Sequence, residues 1–102
     1  MIRVRARVHA AATAQGGRRS PFSSGYRPNH NFGGSDMVLA YMGQVIVPGG
    51  GAICPGESGE VTVEFINAPG LAELLTIGRV WQIQEGPRPI ASAQILEVIP
   101  EA

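Results

Sequence analysis

The segment Ile2-Arg3-Val4-Arg5-Ala6-Arg7-Val8-His9 alternates apolar and polar side chains along its whole length. A period of two is typical of a β-strand that turns one face to a core and the other to water. The segment therefore predicts a half-buried strand with a basic outer face. That face could bind phosphate or an acidic partner, or it could be a solvated strand face with cross-strand ion pairs. We favour ion pairing of the arginines with Glu60, Glu64 or Glu97.

Similar segments recur along the chain, separated by turn residues. The remaining strand segments are residues 37–47, 52–54, 60–66, 79–84 and 90–99. Gly43 lies inside the first of these and predicts a bulge or bend. Residues 71–77 are the one stretch with helical preference, and they are long enough for one or two turns. The strand count is about six, which is typical of a small barrel or sandwich.

Glycine and proline together supply 22 of the 102 residues. This proportion predicts many turns and short strands rather than long helices. The length is that of a single domain, which we expect to span residues 1–102. We therefore predict an all-β fold, and closure into a barrel is favoured because it removes exposed sheet edges.

Residues 16–36 are rich in glycine, proline and small polar residues. Such a stretch predicts a long surface loop. Its three aromatic residues, Phe22, Tyr26 and Phe32, indicate that the loop folds back onto the barrel.

The composition excludes several kinds of chemistry. All eight basic residues are arginine, so no lysine-dependent site is available. The net charge is zero, which argues against binding of nucleic acid by bulk charge. The side chains of His9, His30, Asp36 and Cys54 match no metal-binding or nucleophile–base spacing. We predict no catalytic residue, no metal and no cofactor, and we expect Cys54 to pack as a small apolar side chain.

The sequence shows neither a signal peptide nor an apolar segment long enough to span a membrane. With its single cysteine, the chain is expected to be cytoplasmic.

Four motifs in one order resemble the third domain of bacterial elongation factor Tu. They are Gly16-Gly17-Arg18-Arg19-Ser20-Pro21-Phe22, then Gly25-Tyr26-Arg27-Pro28 with Phe32 and Ser35-Asp36, then Pro55-Gly56-Glu57, and finally Trp81-Gln82-Ile83-Gln84-Glu85-Gly86-Pro87-Arg88. The resemblance covers roughly residues 2–99. It implies a closed barrel of six antiparallel strands. Trp81 takes an aromatic position of the family, so it is expected in the core or at the barrel end, in preference to a role as a binding platform.

The resemblance also implies two kinds of partner. The family's third domain contacts the T-stem of aminoacyl-tRNA and docks on proteins, including the nucleotide-exchange factor. The RNA contacts carried over by match are Ser35, Glu85, Gly86 and Arg88, where a turn backbone and short side chains suit phosphates and 2′-hydroxyls. No GTP binding is expected, because the GTPase domain of the family is not among these residues.

The chain departs from the family's pattern at the RNA-facing turn. Gln84 replaces an arginine, which removes a phosphate partner, and Pro87 replaces a glycine, which removes an amide donor. Gly33 and the Gly34-Ser35 pair are further departures, and residues 69–78 contain an insertion. The changes weaken the expectation of tRNA binding.

We therefore predict a non-enzymatic module that binds a protein partner, with a role in translation implied by the resemblance. The residues expected to contact that partner are Arg18, Phe22, Tyr26 and Arg27. For Arg18 and Arg27, pinning of the loop is an equally good interpretation. The first alternative is a module that binds the T-stem of tRNA, and the second is a self-associating structural protein with an apolar patch in residues 37–54. Neither DNA nor a membrane is an expected partner.

Overall fold

The computed structural model describes residues 1–33 and 37–100. They form eight β-strands and one four-residue α-helix, along with two short 3-10 turns. In chain order these elements are β1 (Ile2–Ala10), β2 (Phe22–Ser23), β3 (Asn29–Asn31), β4 (Ala40–Ile46), β5 (Ala52–Ile53), β6 (Ser58–Phe65), α1 (Leu71–Leu74), β7 (Val80–Glu85) and β8 (Arg88–Ile99).

Six of the strands close into an antiparallel barrel in the order β1-β6-β4-β3-β7-β8. The predicted all-β class and the six-stranded closed barrel are confirmed. The alternation that opens the chain behaves as expected, since Val4, Ala6 and Val8 are fully buried on β1. The helix α1 is a single turn, within the predicted limit.

The sixth strand of the barrel is not the expected one. The segment predicted at 52–54 becomes β5, which pairs only with β2 in a separate two-stranded sheet. The barrel is instead closed by β3, which lies inside the stretch predicted as a surface loop and pairs with β4 and β7. The strand escaped sequence analysis because its residues, Asn29-His30-Asn31, are all polar and show no apolar alternation.

Polar side chains can be buried on β3 because their hydrogen-bonding groups are satisfied. His30 is fully buried between the Trp81 indole and the Gly43 carbonyl. The Asn31 side-chain oxygen accepts hydrogen bonds from the backbone N–H groups of Gly33 and Leu39, each at 2.9 Å. This pair of bonds joins the two ends of the segment that follows β3.

The predicted bulge at Gly43 is wrong. Neither ladder of β4 shows a register shift at this residue, and the two register shifts of the barrel each place an extra residue, Leu96 or Ile90, on β8. A Cβ on Gly43 would come within 3.2 Å of His30, Val63 and Phe65. Close packing therefore favours glycine at this position.

The expectation that Cys54 packs as a small apolar side chain is also wrong, because its side chain is exposed. It follows the last residue of β5, where Ile53 takes the buried position. Trp81, by contrast, is 2% exposed and belongs to the core as predicted. Its indole ring stacks on Phe32, with ring centroids 5.2 Å apart.

The basic stripe of β1 is a solvated, ion-paired strand face, as favoured from the sequence. Arg3 pairs with Glu64 at 2.5 Å, and Arg5 pairs with Glu60 at 3.1 Å and more distantly with Glu97 at 4.0 Å. All three glutamates named as partners take part. This face is therefore locally neutral and offers no concentrated positive charge.

Candidate functional site

Two of the residues predicted to bind a protein, Arg18 and Tyr26, and two of those predicted to bind RNA, Glu85 and Arg88, meet at one carboxylate. Glu85 ends β7, and its Oε2 atom accepts a 2.6 Å hydrogen bond from the Tyr26 hydroxyl and a 3.2 Å ion pair from Arg18 Nε. Its Oε1 atom pairs with Arg88 Nη2 at 3.1 Å. We call Arg18, Tyr26, Glu85 and Arg88 the Glu85 cluster. It joins the loop at 16–28 to the β7–β8 turn.

The loop is held onto the barrel by aromatic packing as well as by charge. The Arg18 guanidinium lies over the Tyr26 ring, 3.9 Å from its centroid. The Tyr26 ring meets Phe22 edge-on, at a centroid distance of 5.1 Å. Phe22 is 1% exposed, so its ring supports the loop from beneath and presents no surface. The pinning interpretation of Arg18 is therefore supported by its contacts.

The cluster has a defined protonation state at neutral pH. Burial, followed by the hydrogen bond to Glu85, raises the pKa of the Tyr26 phenol. The hydrogen bond from Tyr26, with the charges of Arg18 and Arg88, lowers the pKa of the Glu85 carboxyl. The phenol stays protonated and the carboxyl stays ionised, so the pair is suited to holding the loop rather than to transferring a proton.

Arg27 points to a different part of the barrel from Arg18. Its Nη2 atom donates a 3.2 Å hydrogen bond to the Gln44 side chain on β4. The same guanidinium lines a surface groove beside Met1, Met42 and Ile66. These three apolar side chains are 54–62% exposed. We call them, with their rim residues Arg27 and Glu64, the apolar groove.

Strand register explains how three apolar side chains from separate strands come to share this groove. The Ile66 backbone N–H donates to the Met42 carbonyl at 3.1 Å, which places Ile66, the residue after β6, beside Met42 on β4. Ile2 pairs with Phe65, so Met1 precedes β1 next to Ile66. Sequence analysis missed the groove because its members are single residues far apart in the chain.

The loop end of the barrel is strongly basic. Loop residues 16–28 and turn residues 85–88 contain four arginines, Arg18, Arg19, Arg27 and Arg88, against one acidic residue, Glu85. These four are half of the arginines of the chain. The arginines of β1, in contrast, lie on a face that glutamates neutralise. The overall net charge of zero conceals this asymmetry.

The two other residues predicted to contact RNA are Ser35 and Gly86. Ser35 lies outside the described residues. Gly86 is exposed at the β7–β8 turn with a φ of +58°, next to the Glu85 cluster.

In the apolar segment 37–54, the side chains of Met37, Val38 and Met42 are more than half exposed. These three side chains provide the exposed apolar surface that self-association would need.

A comparison of the sequence with models of known protein families finds no match. Across residues 1–33 and 37–100, no group of three or more His, Cys, Asp or Glu side chains could hold a metal ion. Within the same part of the chain, no helix is long and apolar enough to cross a membrane.

Proposed function

We propose that the protein is a binding module whose interaction face comprises loop 16–28, turn 85–88 and the adjoining apolar groove. The partner is a protein that presents acidic side chains next to apolar ones. The observation that carries the proposal is the position of Arg27, which belongs to the basic loop and also lines the apolar groove.

The joining of the two surfaces favours a protein over an RNA. Arginines alone suit phosphates and carboxylates equally. An apolar groove lined by Met42 and Ile66 offers nothing to a ribose–phosphate backbone, but it accepts an apolar side chain from a protein. Methionines are well suited to such a surface because their flexible side chains adapt to the shape of a partner.

Arg27 can exchange its present hydrogen bond at small cost. Its partner Gln44 is neutral, and the bond is exposed. A carboxylate from a partner would replace it with a charge-assisted bidentate pair, which is stronger and more specific. Arg18, in contrast, is already engaged with Glu85 and Tyr26 and is 20% exposed. Within the loop, Arg27 is therefore the better contact residue.

The resemblance to the third domain of elongation factor Tu suggests which protein to test. A protein that recognises that domain would find the Gly25-Tyr26-Arg27-Pro28 motif here as well. The proposal then places the chain in translation, as an adaptor or a competitor for such a protein. A tRNA T-stem is the second candidate ligand, and the local excess of four arginines over one glutamate is the observation that favours it.

The test is affinity capture with the full chain, followed by calorimetry with each purified candidate. Two variants remove the proposed contacts, Arg27→Ala and Met42→Ser. Two matched controls change exposed residues of the same kinds outside the face, Arg7→Ala on β1 and Val80→Ser on β7. We expect one protein to be captured in the presence of ribonuclease, with its affinity reduced at least about tenfold by each site variant and unchanged by each control.

Three results would contradict the proposal. Capture of tRNA that falls steeply as salt rises would favour the RNA alternative. Recovery of the bait alone, with light scattering showing a dimer that Met42→Ser dissociates, would favour self-association. A captured protein that binds all four variants equally would show that the interaction face lies elsewhere.

A further inference from the structure

The fully buried His30 has both ring nitrogens committed to hydrogen bonds. The Trp81 indole N–H donates to Nδ1 at 3.0 Å, and Nε2 lies 3.1 Å from the Gly43 carbonyl oxygen. An indole nitrogen can only donate and a carbonyl oxygen can only accept. His30 must therefore be neutral, with its single ring proton on Nε2.

A second proton on His30 has no acceptor in this arrangement. It would bind Nδ1 and face the Trp81 N–H, so that two donors would oppose each other at hydrogen-bonding distance. The Phe65 ring also lies beside the imidazole and meets it edge-on at a centroid distance of 4.9 Å. None of these neighbours carries a negative charge, and a buried positive charge without a counter-ion is strongly unfavourable.

The surrounding elements supply no counter-ion among the described residues. The register partners of His30 are Tyr41 on β4 and Ile83 on β7. Tyr41 is the one titratable side chain in this set, and its hydroxyl donates to the Pro69 carbonyl. Burial lowers the pKa of His30 to about 4, and the hydrogen bond to the Gly43 carbonyl only partly opposes this effect.

His30 is the middle residue of the shortest strand of the barrel. β3 has three residues, fewer than any other barrel strand, and Arg27 lies two residues before its first residue. We propose that protonation of His30 separates β3 from β7 and so releases Arg27 from its fixed position, while the Glu85 cluster still holds the rest of the loop, which makes the interaction face sensitive to acid. The functional meaning of the release rests on the proposed function, but the opening itself does not.

The direction of the effect follows from proton linkage. An exposed His30 in the open form has its ordinary pKa of 6.5, whereas burial lowers the pKa of His30 in the closed form to about 4. The open form therefore binds more protons below pH 6.5, and acid favours it. Between about pH 7 and about pH 5 the ratio of open to closed molecules should rise about 20-fold.

The opening can be measured on the isolated protein by NMR and amide hydrogen exchange. Trp81 is the only tryptophan, so the indole N–H gives a single signal that reports directly on the bond to His30. After correction for intrinsic rates, we expect exchange at residues 29–31 to rise about 20-fold over this pH range while β1 amides keep their protection. The indole N–H should lose protection in parallel.

Two variants separate His30 from other acid effects. His30→Gln retains an acceptor and a donor but does not titrate, and it should abolish the acid response. His9→Gln removes the other histidine, which is exposed, and should leave the response intact. If His30→Gln does not fold, the wild-type titration decides: the His30 ring and the Trp81 indole signal must change together.

The proposal is wrong if the indole signal is unchanged when His30 titrates, or if the response persists in His30→Gln. Loss of protection in β1 and β3 together would show global unfolding and would also overturn it. None of these measurements uses a partner, so a failed search for a binding protein leaves them unaffected.

Discussion

Replacement of Gly43 by alanine tests whether packing in the barrel requires glycine at this position. The added Cβ would stand 3.1 Å from Phe65 Cδ1 and Val63 Cγ1 and 3.2 Å from His30 Cδ2. All three neighbours are fully buried, so none can move aside into solvent. Overpacking of this kind costs about 1–3 kcal/mol. Alanine also reduces the conformational entropy of the unfolded chain, and this stabilises the folded protein by about 0.4–1 kcal/mol, which offsets part of the packing cost.

We therefore expect Gly43→Ala to lower the free energy of unfolding by about 1–2 kcal/mol and Tm by about 5–15 °C. The assay is urea denaturation followed by the fluorescence of Trp81, the only tryptophan. The slope m should stay constant, because the surface exposed on unfolding is unchanged.

Gly51→Ala is the matched control. A Cβ there would lie 3.6 Å from the Pro48 carbonyl oxygen and 3.7 Å from Val47, in ordinary contact. The φ of Gly51 is −77°, which alanine adopts without strain. We expect this variant to match the wild type or to be slightly more stable. If Gly43→Ala were as stable as Gly51→Ala, the packing argument and the tight environment of His30 would both be refuted.

Three further predictions concern the surface. Glu85→Gln should destabilise the barrel by about 1–2 kcal/mol in thermal unfolding, because the loop loses a charged hydrogen-bond partner. The pKa of Tyr26, followed by tyrosinate absorbance, should fall in this variant but stay above its usual value because the ring remains partly buried; an unchanged pKa would contradict the assigned contact. The neighbouring Glu57 carboxylate raises the pKa of the Cys54 thiol. Glu57→Gln should therefore speed the reaction of that thiol with a disulfide reagent at neutral pH. An equal or slower rate would argue against an influence of Glu57 on the thiol. Arg5→Ala should cost less than about 1 kcal/mol, since the side chains of Arg5 and of its ion-pair partner Glu60 are 41% and 51% exposed; a larger loss in urea denaturation would mean that the pair is structural.

The Glu85 cluster illustrates the part of the site that sequence could supply. Arg18, Tyr26 and Glu85 were each singled out by resemblance, but for two different ligands. Nothing in the sequence indicated that they touch, since about 60 residues of chain separate Tyr26 from Glu85. Closure of the barrel brings them together, and the contact turns two predicted sites into one.

The apolar groove and the His30 pocket could not be predicted from the sequence, because each is formed by residues from several strands that are distant in the chain. Met42 is an ordinary apolar residue of β4 and Ile66 follows the end of β6, and only the β4–β6 register places them side by side. His30 carried no sign of burial, because a lone histidine among asparagines is typical of a surface turn. Its environment comes from Gly43, Phe65 and Trp81, which lie on three other strands.

The sequence by itself determined the all-β class and the alternating strand β1 with its ion-paired outer face. These features depend on local periodicity and turn residues, which act over a few positions of the chain. Tertiary structure alone decided that β3 rather than 52–54 closes the barrel. Burial of the polar residues His30 and Asn31 is favourable only when donors and acceptors from distant strands satisfy them, and that condition exists only once the barrel has formed.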